Sequence, residues 1–367
     1  MTARNSRLLD IYTDYLLVSF GQASATGLSR LLPDISHDQV TRFLSQETLN
    51  DKDLWHLVKP HLRRVQTEDA VLIIDDTVEE KPYTDESELV TWHFDHTVNR
   101  KIKGINLVSG LYVNEQASLP VAFHLIHKTE LVTEEKVGKD GTSTSCQRWQ
   151  SPVTKNEIAR KMVSSVLAKQ IPFRYVLADT WFSCAENMTF FKQTSKKDFI
   201  MPLKSNRKVA FAPQPKKKGQ WHALDSLDFD AHPLPTLYLD GVPFPVRVIR
   251  QVFTNEDDSR GVLYLCTSDL SLSKDDLLTT YQKRWKVEEY HKSLKSNAAF
   301  AKSPTKLPRT QSNHFFASLV AFVKMETMRL TTKCNHFAFK AKLYQAALAG
   351  AFQKLTEIKQ TGLSITN

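Results

Sequence analysis

Residues 70–78 read AVLIIDDTV: five apolar positions, then two acids and a β-branched pair. A run this short and this rich in Val and Ile is a strand buried on both faces, since a helix needs about 10 residues or more of 3.6-residue periodicity. Such a strand lies inside a sheet, so the rest of the chain must supply its neighbours. INLVSGLYV (105–113) and LPVAFHLIH (119–127) are two more strand-like runs, and the turn from Asn114 to Ser118 makes them a hairpin. A helix over about 154–170, the strand FRYVLAD (173–179), a helix over 184–195 and the strand DFIMPLK (198–204) follow. The order β-β-β-α-β-α-β predicts an α/β protein with a mixed sheet carrying helices.

The flanks differ from this core. Residues 1–66 keep helical apolar spacing, at Leu8, Leu9, Ile11, Tyr15 and Leu16 and again at Val40, Phe43 and Leu44. Ser36 is placed to cap a helix HDQVTRFLSQ. That helix suits either a helix-turn-helix reader using Gln39, Thr41 and Arg42 or a small bundle that only packs. Residues 128–152 are polar, hold Gly138 and Gly141, and read as a flexible loop. The segment TWHFDHTVNRKIKG gathers His93, Asp95, His96, Arg100 and Lys103, and reads as a loop beside the site rather than as a metal centre. Residues 205–270 are rich in strands and basic at their edges, with Lys204, Arg207, Lys208 and Lys216–Lys218 ahead of Trp221. Asp240-Gly241 marks a hairpin turn there. A helix over 273–297 and two more, over about 310–330 and 337–358, end the chain. The expected units are 1–66, 67–204, 205–270, 271–300 and 301–367.

The net charge of +9 suits a polyanionic partner, nucleic acid above all. Cys146, Cys184, Cys266 and Cys334 are too scattered for a disulfide framework or zinc site. No apolar run reaches the roughly 18 residues that span a bilayer. The N-terminus lacks a signal-peptide core, so the expected location is the cytoplasm.

The chemistry is concentrated in YQKRWKVEEYHKSLK. On one continuous helix Tyr281, Arg284, Glu288 and Lys295 fall within an arc of about 60°. Val287, Tyr290 and Leu294 fall on the opposite side and can dock on a core. A carboxylate among cations suits a metal ion and a phosphate together. Phosphoryl transfer on two metal ions about 4 Å apart needs several converging acids, and Mg²⁺ takes oxygen ligands. Sheet ends hold acids rigidly, and Asp75, Asp76 and Asp179 all stand at strand ends. Strand alternation lets only one of Asp75 and Asp76 face a common site. Plainer roles exist: Asp179 as a helix N-cap, and Glu288 as the i, i+4 ion-pair partner of Arg284.

With these motifs the chain resembles the DDE transposases of bacterial insertion sequences, in the YREK-signature, insertion-sequence-four-like group. Tyr281, Arg284, Glu288 and Lys295 match the signature, IIDDT the first-acid strand and LADTWFS the second. The resemblance covers about residues 70–300, and the N-terminal helices also look like members of the group. It implies a ribonuclease-H-like core with helices on both faces, a β-rich insertion before the glutamate helix, and helical ends that include an N-terminal DNA-binding region. It selects Asp76, with Asp179 and Glu288, as catalytic residues holding two Mg²⁺ ions, for which Mn²⁺ can substitute. Tyr281, Arg284 and Lys295 would bind DNA phosphates. Relatives flip a base onto an aromatic ring, and Trp221 is the candidate here; Gln39, Thr41 and Arg42 are candidates for reading the DNA end. The implied partners are double-stranded DNA with terminal inverted repeats, target DNA and a second copy of the chain in a synaptic complex, near the nucleoid and away from membranes. Two other readings are a nuclease of the same fold without end specificity and a DNA-binding regulator without catalysis. The intact acids disfavour the regulator.

Overall fold

The structure, a computed structural model, describes residues 3–95, 99–137, 143–213, 220–254 and 258–361. Along the chain run helices α1 (Ala3–Val18), α2 (Ala25–Leu31), α3 (His37–Gln46) and α4 (Asp51–Val65), then strands β1 (Val71–Glu80), β2 (Thr91–Asp95), β3 (Arg100–Val113), β4 (Ser118–Leu125), β5 (Glu130–Val137) and β6 (Ser143–Gln150). Next come α5 (Lys155–Ala168), β7 (Tyr175–Ala178), α6 (Ala185–Thr189) and β8 (Asp198–Leu203). Strands β9 (Lys208–Ala210), β10 (His222–Ala223), β11 (Thr236–Leu239), β12 (Pro245–Thr254) and β13 (Arg260–Thr267) lead to α7 (Lys274–Gln282), α8 (Trp285–Asn297), α9 (Pro308–Thr332) and α10 (His336–Thr361). The chain divides into two compact units, Leu54–Glu289 and, together, Met1–Asp53 with Tyr290–Asn367.

The unit Leu54–Glu289 is built on β1. Ala70 to Ile74 are fully buried, as a two-faced strand requires. β1 runs antiparallel to β3, from Val71↔Val113 to Glu80↔Gly104, and parallel to β7, from Val71↔Tyr175 to Ile74↔Ala178. β4 joins the far side of β3, and β8 runs parallel to β7. The order β4-β3-β1-β7-β8, a three-strand antiparallel meander followed by two parallel strands, is a ribonuclease-H-like core, with α5 against β3 and β4 and α7 against β8. Gly104 sits where β3 meets both Glu80 and Thr91. A Cβ there would lie 2.3 Å from the Glu79 carbonyl oxygen, so no side chain fits.

Three expectations change, while the strands expected in 205–270 are present and extend the core sheet: β13 pairs antiparallel with β8, and the sheet continues through β12, β11 and β9 to β10. Strands were legible there, but their partner was not, since pairing leaves no local signal. Residues 128–152 are not a loop but include the ribbon β5–β6, paired from Glu130↔Gln150 to Val137↔Ser143. Its residues are polar at most positions, so the alternation that marks a half-buried strand is missing. The segment around His93 is the hairpin β2–β3, with Asp95 opposite Arg100; His96 lies outside the described residues. The single helix expected over 273–297 is two. Between α7 and α8 the amides of Lys283, Arg284, Lys286 and Val287 each bond three residues back, a 3₁₀ turn that ends one helix and starts the next. The predicted hairpin turn is present, with Gly241 at φ +80°.

The second unit is helical. Val40, Phe43 and Leu44 are buried on α3, and Ser36 forms a capping box with Gln39. Asn313 on α9 donates to the carbonyls of Leu44 and Glu47 and accepts from the Leu49 amide, tying the α3 exit to α9. Tyr12 and His314 meet at 2.8 Å between α1 and α9. Among the described residues no helix is long and apolar enough to cross a membrane.

Candidate active site

Pairing between β1 and β7 ends at Ile74↔Ala178, so Asp179 follows the carboxyl end of β7, while Asp75 and Asp76 lie midway along β1, just past the point where β7 leaves it. Open α/β sheets commonly place ligands at such a strand end. Asp179 accepts from the Trp181 amide at 3.0 Å and caps the turn Thr180–Phe182. Its plain capping role is therefore real. Asp76 accepts from Asn106 Nδ2 at 2.9 Å and from Lys155 Nζ at 2.7 Å. Asp75 accepts from the Asp76 amide at 2.8 Å, and its other oxygen lies 3.8 Å from the Arg284 guanidinium.

Asp75 was expected across the sheet from the site, yet its carboxylate lies 3.8 Å from the Arg284 guanidinium and within electrostatic reach of Asp179 and Asp76. Burial first, then the charges of Asp179 and Asp76, push the Asp75 carboxyl up to about 7. Burial and then Asp76 raise the Asp179 carboxyl too. Three acids within electrostatic reach of one another are a site that wants positive charge.

The 3₁₀ turn supplies some of it. Arg284 Nη2 donates to Glu288 at 2.8 Å while Nη1 faces Asp75, so one guanidinium links the glutamate helix to β1. Burial works against the Arg284 charge, but Tyr281, Asp75 and Glu288 outweigh it and hold its pKa above the ordinary value. Tyr281 lies under Arg284, ring to guanidinium at 5.8 Å, and burial drives its hydroxyl up to about 12. Val287, Tyr290 and Leu294 are buried, as the apolar side of this segment predicted. Lys295 stands on α8 beyond Glu288 but belongs to the helical unit.

The other candidates stand on or next to other elements. Trp221 is partly buried just before β10. An exposed indole next to Asp179 is Trp181, 56 % exposed, with Lys155 Nζ 5.7 Å from its ring, and Trp285, 60 % exposed, lies against Arg284. Thr41 and Arg42 are exposed on α3, whereas the Gln39 side chain accepts from the Ser36 amide in the capping box. Lys216–Lys218 lie outside the described residues. Sequence reasoning missed Asn106 and Lys155. The box Thr154–Glu157 marks the start of α5 and thus puts Lys155 in its first turn, but nothing local says that this turn meets β1.

A family model described as DDE superfamily endonuclease matches residues 1–230, well over half of the chain. The chain belongs to this family. The match includes Asp75, Asp76 and Asp179, while Tyr281, Arg284, Glu288 and Lys295 lie beyond it. No curated protein matches the chain.

DDE endonucleases act on DNA, generally with divalent metal ions. The donor chemistry here fits such ions: the acids offer only oxygen, and their mutual repulsion is what a divalent cation relieves. Among the described residues, however, no three His, Cys, Asp or Glu side chains converge on one metal-binding point. Lys155 engages Asp76 and Arg284 engages Glu288, so these cations hold the places of positive charge.

Proposed function

We propose that this endonuclease is a transposase of the YREK-signature group, which cuts DNA at terminal inverted repeats and joins the freed ends to target DNA. The observation that carries the reading is Arg284: it bridges Glu288 to Asp75 within an acidic cluster that also includes Asp76 and Asp179. The YREK tetrad accompanying these acids favours a transposase over a plain nuclease.

In this reading Asp76, Asp179 and Glu288 hold Mg²⁺, and Asp75 keeps the surrounding field negative. Bound there, two divalent ions supply the charge that lets water or a 3′-hydroxyl attack a phosphodiester and lets the leaving oxygen depart. The chain's own residues do the rest. Asn106 fixes the Asp76 carboxylate, and the Trp181 amide fixes that of Asp179. Arg284 and Lys295 draw in phosphates, Tyr281 orients Arg284, and Trp221 remains the proposed stacking partner of a flipped base. Gln39, Thr41 and Arg42 would read the DNA end, and two copies of the chain would pair two ends.

The test is incubation of the protein with Mg²⁺ and a DNA ending in the inverted repeat that flanks its own gene. Cutting at the repeat tip, lost in Asp179→Asn while DNA binding persists, is the expected result. Equal cutting of unrelated duplexes would replace the transposase reading by that of a nuclease without end specificity.

A further inference from the structure

One cavity in the unit Leu54–Glu289 lies away from the carboxylates. It is a groove of about 940 Å³ between the edge strand β2 and the β6 side of the ribbon. Three aromatic rings line it half exposed: Trp92 at 47 %, Phe94 at 49 % and Trp149 at 54 %. Large apolar faces held open to water in one cleft mark a binding surface. Between them stand Lys101, directly opposite Phe94 in the β2–β3 pairing, with Lys128 and Arg148. The Trp92 ring is fixed, since its Nε1 donates to Glu86 at 2.6 Å, and Lys128 Nζ donates to the Trp92 carbonyl at 2.6 Å. The groove's two acids have partners: Glu86 takes the Trp92 bond, and Glu88 faces His127 at 3.7 Å.

The cations crowd one another. After burial, the charges of Arg148 and Lys155 are what lower the Lys128 pKa. An anion in the groove relieves that repulsion. Asp76↔Val108, Val78↔Asn106, Glu80↔Gly104, Thr91↔Gly104 and His93↔Ile102 form one unbroken register, so His93 in the groove lining shares the sheet face of Asp76, while Trp92 and Phe94 stand on the opposite face of β2. Lys155, the ion-pair partner of Asp76, is felt by both His93 and Lys128.

We infer that this groove binds an unpaired stretch of DNA strand, with bases stacked on Trp92, Phe94 and Trp149 and phosphates on Lys101, Lys128 and Arg148. Rings interleaved with cations suit a single strand, because each base has a face to stack and each nucleotide a phosphate to pair. A duplex cannot use the rings, since its base faces are already stacked on one another. The inference rests on the reading of the chain as a DNA-processing enzyme and adds a site to it.

The test uses the full chain with metal chelated, so that nothing is cut. Binding of a labelled oligo-thymidylate of about 12 nucleotides, and of a blunt duplex of equal length, is followed by anisotropy. Trp92→Ala with Trp149→Ala should weaken oligonucleotide binding at least about tenfold and duplex binding by less than about threefold. Trp149→Phe should stay within about threefold of the parent for both. In the parent protein the oligonucleotide should quench indole fluorescence. No quenching, an unchanged oligonucleotide affinity in the double variant, or an equal loss for both DNAs would each overturn the site. A parent that cuts no DNA but binds the oligonucleotide through these rings would sink the transposase reading and leave the groove. A parent that cuts at its repeats, with ring variants that bind the oligonucleotide normally, would sink the groove alone.

Discussion

Lys155 Nζ lies 2.7 Å from Asp76 Oδ2, carried there by the first turn of α5. Both groups are largely withdrawn from solvent. Breaking a buried ion pair costs about 3–5 kcal/mol and an exposed one less than about 1, so a pair between these limits gives about 1–3 kcal/mol. Lys155→Met should lower metal-free stability by that amount, measured by denaturant unfolding. It also removes the competitor for Asp76, so Mg²⁺ should raise the melting temperature more in the variant than in the parent. An equal or smaller rise would refute a shared site for Lys155 and the ion.

Asp75 gives a pH signature in metal-free protein. Its folded pKa, up to about 7, is above the roughly 3.9 of an unfolded aspartate. Between those values the folded state holds the extra proton, so this group's contribution to stability falls as pH rises from about 4 to about 7 and is constant above. The ceiling is about 4 kcal/mol, at 1.36 kcal/mol for each pH unit. Asp75→Asn should therefore stabilise the protein at pH 8 but not at pH 4. Unfolding curves across that range, with chelator present, give the difference directly. A parallel offset at every pH would mean that Asp75 ionises normally.

What the sequence disclosed followed local pattern. Ala70–Ile74 had to be a two-faced strand, Ser36 had to start a helix, and Asp240-Gly241 had to turn. Each of these is decided within a few residues. The surroundings of Asp75 were not legible, because Asp179 and Arg284, which act on it, come from distant parts of the chain. Nor was Lys155 beside Asp76, since the two are 79 positions apart in sequence. The join of β13 to β8, which makes one sheet of two expected regions, is likewise a long-range pairing. The split at Lys283–Arg284 escaped because a 3₁₀ turn keeps the apolar period of Val287, Tyr290 and Leu294 nearly unchanged.

Gly104 offers a test of the sheet crossing. A methyl group at this position would meet the Glu79 carbonyl oxygen at 2.3 Å, and strand backbone cannot give way cheaply. Gly104→Ala should cost about 1–3 kcal/mol, the usual range for overpacking, and lower the melting temperature accordingly. Gly21→Ala, where the added carbon meets nothing within 4 Å, serves as the control. Equal melting temperatures for the two variants would contradict the close approach of β1 and β3.

Asp179 combines two roles that substitution can separate. Its oxygen caps the Thr180–Phe182 turn, while burial and the charge of Asp76 raise its pKa. Asparagine keeps an acceptor for the Trp181 amide and discards the charge; alanine discards both. Losing a cap of this kind costs about 1 kcal/mol, so Asp179→Asn should be more stable than Asp179→Ala by about that amount. The asparagine variant should also exceed the parent at pH 8. That advantage should vanish at low pH, where the parent's carboxyl is protonated and the repulsion is gone. In the proposed function both variants lose DNA cutting, so stability and activity part company in opposite directions for asparagine. Thermal melts at pH 8 and pH 4, with cleavage assays alongside, check both halves. Equal melting of the two variants would remove the cap, and an asparagine variant less stable than the parent at pH 8 would remove the electrostatic strain.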